Sequence, residues 1–281
     1  MLQRLSDFWA LIKCKQTLLL LFTGLVGYAS GLNAPTDPAA YAGLLGSLFL
    51  AVGGTTALNM AYDRDIDAVM DRTRRRPLAS GRLSPAAALL PGVAMSAVGL
   101  GWAFLLDPLF GLVVLTGWVL DLVVYTMWLK RRTPWSVIWG GLSGGMPVLA
   151  GRVLATGQVE AIGLLLALAV LLWIPTHILT FSMKHADDYA RARVPVFPNV
   201  YGLRATQVII SLSTVLAAVT MAGITWSLVE HWGPLTFAVA LALVLVGLGA
   251  NAMVRPSVQV NYRLFKFASL YMVAAMALLL V

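Results

Sequence analysis

The chain has 281 residues, 59% of them hydrophobic and 11% charged, with a formal net charge of +8. A soluble globular domain carries about 25% charged residues, so this composition excludes a protein that covers itself with polar groups in water. The positive balance would suit nucleic acid, but its distribution along the chain assigns it to membrane topology instead.

Each helical bilayer crossing needs about 20 predominantly apolar residues. Nine stretches qualify, near 15–32, 41–60, 86–106, 109–129, 136–153, 161–183, 206–229, 235–254 and 265–281. Each is about twice the length of a membrane barrel strand, and backbone groups in lipid must bond within their own segment. The expected fold class is therefore all-α: one polytopic membrane domain over 1–281 with nine transmembrane helices. The first stretch is too long and too well embedded for a signal peptide. Cys14 is the only cysteine, which leaves no intrachain disulfide and no multi-cysteine metal site.

Nineteen of the twenty Lys and Arg fall before the first stretch or after the even-numbered ones; only Arg152 lies on the other side. By the positive-inside rule the N-terminus is cytoplasmic and the C-terminus outside, in a bacterial-type plasma (inner) membrane. The outer loops are short, near 33–40, 107–108, 154–160 and 230–233. Two inner loops, about 61–85 and 184–204, are long enough to be functional. They hold six of the twelve acids. Each opens with acids, continues with arginines and ends at proline, a weak pseudo-repeat that would set the two loops face to face.

At the inner end of the second stretch stands Asn59-Met-Ala-Tyr-Asp63-Arg-Asp-Ile-Asp67. Residues four apart share a helix face, so Asn59, Asp63 and Asp67 form a polar stripe while Asp65 points away. Two carboxylates and an amide oxygen suit Mg²⁺, which is held by one or two carboxylates plus substrate phosphates. A solvated helix end explains Asp65 and Asp71 well. It explains Asp63 and Asp67 poorly, because like charges four apart repel. The run Asp71-Arg72-Thr73-Arg74-Arg75-Arg76-Pro77 offers guanidinium forks for a diphosphate. Asp121 lies about 13 Å from the inner end of the fourth stretch and needs a partner that the sequence does not reveal. Lys130-Arg131-Arg132 serves phosphate or topology equally.

In the sixth stretch, Trp173-Ile-Pro175-Thr176-His177 precedes Lys184-His185-Ala-Asp187-Asp188-Tyr189. Polar groups at this depth are functional candidates. Two readings of His177 stand: a ring that hydrogen-bonds or ligates an acceptor, and a core ring packed on Trp173. Thr176 could satisfy the carbonyl freed by Pro175. Acids for Mg²⁺, bases for diphosphate and an apolar interior together suit ionisation of an allylic diphosphate.

At these residues the chain resembles the UbiA superfamily of intramembrane prenyltransferases. Asn59, Asp63 and Asp67 match its Asn-x₃-Asp-x₃-Asp motif. The runs Met70–Leu78, Tyr125–Pro134 and Asp188-Tyr189 leading to Pro195 and Pro198 are similar to its protohaem IX farnesyltransferase (haem O synthase) branch. The resemblance implies helices around a central cavity, with Mg²⁺-dependent transfer of farnesyl from farnesyl diphosphate to protohaem IX. Haem is then a substrate, not a prosthetic group. It further implies that Asn59, Asp63 and Asp67 hold Mg²⁺–diphosphate and that Asp187 or Asp188 serves a second metal region, with Asp188 the metal candidate. Arg72, Arg76, Lys130 and Arg131 would contact phosphate, Tyr125 and Lys184 would border substrate, and His177 would help position haem. Membrane lipid is the remaining expected partner, and nucleic acid is not one. Thr176 and Ile178 depart from the family's Pro-His-Phe, and the second Asp-x₃-Asp motif is incomplete, with Arg191 and Ala192 where acids would stand.

Three rival readings remain. A family member acting on an aromatic or quinone-precursor acceptor differs only in acceptor. A CDP-alcohol phosphotransferase would need a Gly-x₂-Ala-Arg portion that is absent. A cation transporter would bury its acids at midplane, and only Asp121 fits that.

Overall fold

A computed structural model describes residues 2–31, 37–229, 231–255 and 257–280. Leu32, part of the outer loop 33–40, Glu230 and Val281 lie outside the described residues. Among those described, every regular element is helical. Eight helices are long and apolar enough to cross a membrane, and a shorter apolar helix, Cys14–Ala29, makes the ninth.

The order begins with α1 (Leu2–Leu11) and α2 (Cys14–Ala29). α1 is too short to cross. Its buried Asp7 pairs with Arg82 at 3.2 Å, which fastens it to the loop that follows the next long helix. Lys13 joins α1 to α2 with a left-handed φ of 45°. α3 (Pro38–Tyr62) starts on an Asp37 cap, whose carboxylate accepts from Ala39 N at 3.0 Å, with proline in the first turn. It breaks at Asp63, and α4 (Arg64–Val69) continues the direction. α5 (Ala86–Leu106) returns. Asp107 caps α6 (Pro108–Trp118) by accepting from Phe110 N at 2.7 Å. α6 runs on as a π-wound segment, Val119–Leu129.

α7 (Ser136–Thr156), α8 (Ala161–Lys184), α9 (Ala186–Arg191), α10 (Phe197–Leu228), α11 (Trp232–Val254) and α12 (Val258–Ala277) complete the bundle, with a 3₁₀ turn at Leu278–Leu280. α2 and α7 approach backbone to backbone. A Cβ on Gly27 would lie 2.0 Å from the Val148 carbonyl oxygen, and one on Gly151 would lie 1.9 Å from that of Gly24. Small residues permit such contact between membrane helices. The outer faces keep large apolar side chains exposed, among them Leu90, Leu105 and Val254, as a lipid-facing surface requires.

Two elements start earlier than hydropathy indicates. α10 begins at Phe197 rather than 206, because Pro198 fits a first helical turn and Gly202 absorbs a kink at φ 81°. α12 begins at 258 rather than 265, since Asn261 and Arg263 are helical residues that hydropathy reads as loop. The second inner loop is correspondingly shorter. At the opposite end of the bundle, Arg152 is 3% exposed and donates to Glu160 and to the Ser30 carbonyl.

Candidate active site

The break at Asp63 leaves the helical hydrogen bonds in place: Asp63 N donates to Asn59 O and Asp67 N to Asp63 O, both at 2.9 Å. Asn59, Asp63 and Asp67 therefore share one face and are 7%, 5% and 4% exposed. The Asp65 side chain is 59% exposed. Each buried carboxylate meets a base from elsewhere in the chain. Asp67 pairs with Arg76 at 2.7 Å, and Asp63 with Lys130. Arg131 grips Asp65 through two nitrogens at 2.6 and 2.7 Å and lies 3.9 Å from Asp63.

Asp121 has its partner: Asn59 donates to it at 2.7 Å. The one acid that favoured transport thus belongs to the same cluster. The π-wound segment explains how Asp121 and Lys130 both reach it. They are nine residues apart, and at about 100° per residue an α-helix would put them on opposite sides. Rings closed i to i+5 lower the step to about 80° and bring them back to one face. Tyr125 lies between them, with the Lys130 ammonium 5.7 Å from its ring centroid. Burial alone would lower the Lys130 pKa, but Tyr125, Asp63 and Asp67 outweigh it and raise it above the usual lysine range.

Lys13 is a residue that sequence reasoning missed. It carries electrostatic coupling to Arg76, Lys130, Asp121 and Asp63, and burial with the two bases brings its ammonium down to about 8. Its only signal was a base directly before an apolar stretch, which positive-inside topology already explained.

A second group lies beside the first. Asp188 accepts from the backbone N–H of Asp71 at 3.1 Å and of Arg72 at 3.4 Å, and pairs with Arg191. Arg191 also reaches Asp71 at 2.6 Å. The two inner loops are therefore in contact. Burial would raise the Asp188 carboxyl, but the two amides and Arg191 hold it below the usual carboxylate range. Asp187 is exposed. Arg72 lies over the rings of Phe181 and Tyr189, at 5.0 and 5.6 Å. Lys184 stands apart, over Tyr262 at 5.1 Å.

Beneath the charged cluster, α2, α3, α6 with its π-wound end, α7 and α8 enclose a cavity of about 480 Å³ that includes Asp121, Tyr125 and His177. His177 stacks between Trp173 and Phe265, with centroids 4.7 Å from each, and Ser269 Oγ lies 3.4 Å from its Nδ1. Thr176 does not satisfy the carbonyl freed by Pro175. Its hydroxyl bonds Thr214 of α10 at 2.7 Å, because it faces the neighbouring helix.

Carboxylates and bases capping an apolar cavity inside a helical bundle define an integral membrane protein built to hold an apolar molecule by a charged head. Residues 20–278 match the UbiA prenyltransferase family, and the chain belongs to it. It is 40% identical to the protoheme IX farnesyltransferase of Thermofilum pendens over 269 residues, 95% of each chain. It is 45% identical to that of Korarchaeum cryptofilum over 213 residues, 76% of this chain and 72% of the relative. Among solved structures, a digeranylgeranylglyceryl phosphate synthase superposes with a TM-score of 0.82 at 18% identity, covering 99% of this chain and 98% of the other. A UbiA homolog from Archaeoglobus fulgidus, solved with GPP and Mg²⁺, gives 0.74 at 17% identity, covering 98% and 100%.

Proposed function

We propose that the protein transfers the farnesyl group of farnesyl diphosphate to a vinyl group of protohaem IX, giving haem O and diphosphate. The observation that carries this is the similarity along nearly the whole chain to relatives named protoheme IX farnesyltransferase. In bond terms, the allylic C–O bond of the donor breaks and its carbon bonds the vinyl terminus. Water adds to the other vinyl carbon, a proton leaves, and diphosphate departs.

Asn59 Oδ1 and Asp63 Oδ1 are buried and have no hydrogen-bond partner. They are hard oxygen donors on the face that also carries Asp67, and this set fits Mg²⁺ bound with substrate phosphates. Asn59, Asp63 and Asp67 would hold the ion. When bound, Mg²⁺ supplies electrostatic stabilisation of the leaving diphosphate. Lys130 and Arg76, which neutralise Asp63 and Asp67 here, then turn to phosphate oxygens, joined by Arg72 and Arg131. Asp188 with Asp187 forms the second acidic region, and Asp188 also ties the loops over the site. Tyr125 lines the path of the apolar chain and excludes water from the developing cation. His177 borders the acceptor. The two loops face the cytoplasm and the C-terminus lies outside.

Purified protein incubated with farnesyl diphosphate and either haem B or an aromatic acid tests the reading, with mass spectrometry of the extracted products. A haem gaining one farnesyl and one water is expected. Prenylation of the aromatic acid alone would replace this reading with the quinone-precursor one.

A further inference from the structure

Beside the central cavity lies a larger one of about 1050 Å³, between α8, α10, the end of α11 and α12. His177 lines the central cavity and Phe265 the larger one, and their stacked rings stand between the two. The larger cavity also reaches the inner loops, because its Phe181 lies under the Arg72 guanidinium.

Its walls are mostly apolar, yet they contain polar groups with nothing to bond. Gln207 is 3% exposed, and neither of its amide atoms has a hydrogen-bond partner. Asn261 is 5% exposed, and its Oδ1 has none. Buried polar atoms are nearly always paired, and an unpaired one is destabilising. Both residues line the cavity. Lys184 and Arg204 line it too, and neither has an acidic partner among the described residues. Lys184 and Lys266 instead lie over the Tyr262 ring, at 5.1 and 4.7 Å. After Asp188 the sequence has a single acid, Glu230, and it follows the far end of α10 from Arg204. The positive charge at this mouth is therefore not neutralised from within this part of the chain.

Unpaired amides, unneutralised bases and aromatic walls describe a seat for a wide apolar molecule with carboxylates. The volume is at the top of the range that takes drug-sized ligands. We infer that this cavity seats the prenyl acceptor, a porphyrin-class dicarboxylate. Its carboxylates meet Lys184 and Arg204 and accept from the Gln207 Nε2 amide, which has no partner here, and its opposite edge faces the His177–Phe265 pair. This assignment rests on the proposed transfer to haem. It places donor and acceptor in two cavities that meet at one ring pair.

The test uses the full chain in detergent, with haem B and haem dimethyl ester titrated by their Soret absorbance. Wild type should bind the ester at least about tenfold more weakly than haem, a loss expected when hydrogen bonds to charged groups are removed. The exposed pair Lys184→Ala/Arg204→Ala should bind haem at least about tenfold more weakly and no longer distinguish it from the ester. Gln207→Leu should weaken haem and leave the affinity for a non-reactive farnesyl diphosphate analogue within about twofold. Full discrimination retained in the double variant would overturn the assignment. So would unchanged haem binding together with loss of co-purified phosphatidylglycerol in native mass spectrometry, which would make the cavity a lipid site. Haem farnesylation is read separately. Discrimination without product would keep the cavity and end the transfer reading; product without discrimination would do the reverse.

Discussion

Asp65 and Asp67 are two residues apart and have opposite surroundings. Asp65 is exposed and held by Arg131, whose hydrogen bonds lower its pKa. Its folded pKa is depressed, so its contribution to stability exists above the ordinary carboxylate pKa and is lost as pH falls through the folded value. For an exposed pair that contribution is below about 1 kcal/mol. Asp67 and Asp63 are buried on the face that also carries Asn59. Asp65→Ala should therefore reduce turnover modestly, whereas Asp63→Ala or Asp67→Ala should abolish it; equal damage from all three would refute the face argument. Asp63→Ala also leaves Lys130 without its partner, so thermal melts must accompany the rates. Turnover that persists in excess chelator would remove Mg²⁺ from the mechanism. The face was legible because spacing alone defines it. The Asn59–Asp121 bond was not, since its partners are 62 residues apart in sequence and only the packing of α3 against α6 and its π-wound end joins them.

Helix winding carries as much of the site as residue identity. The π-wound segment turns Asp121 and Lys130 to one side, and ordinary α winding would separate them. Deleting Met127, which is exposed and lies between Tyr125 and Lys130, should rotate Lys130 by about 80° away from Asp63. Turnover should fall to the level of Lys130→Ala with helical circular dichroism retained; full activity would show that winding is irrelevant. Close helix approach is the other element-scale device. Gly151→Ala drives a methyl into the Gly24 backbone, which no rotamer relieves. It should cost about 3 kcal/mol or more, read as a lower melting temperature in detergent. The long apolar helices were legible because lipid demands long apolar runs. The π winding, α1 and the early starts of α10 and α12 were not. Those features depend on ring closure, docking and polar helix ends, to which hydropathy is blind.

Across the whole molecule the charges divide by end. The Asp63, Asp67 and Asp188 pairs gather where the inner loops meet, and Arg152 is clasped by Glu160 and Ser30 at the other end. The sequence already displayed this division in the nineteen bases placed on one side. It did not display the second cavity, because Lys184, Arg204 and Asn261 come from three helices whose polar ends read as loops. The proposed orientation rests on a physical rule: basic loops are retained on the cytoplasmic side. In a Cys14→Ser background, single cysteines at Asp37, Arg75 and Arg191 sample both ends, and all three positions are exposed. A membrane-impermeant thiol reagent applied to intact cells should label Asp37→Cys and miss Arg75→Cys and Arg191→Cys. After permeabilisation all three should label, which separates sidedness from local protection. Outside labelling of Arg75→Cys in intact cells would invert the molecule. It would also move the charged cluster to the compartment opposite the cytoplasm, where a farnesyl diphosphate donor is not made.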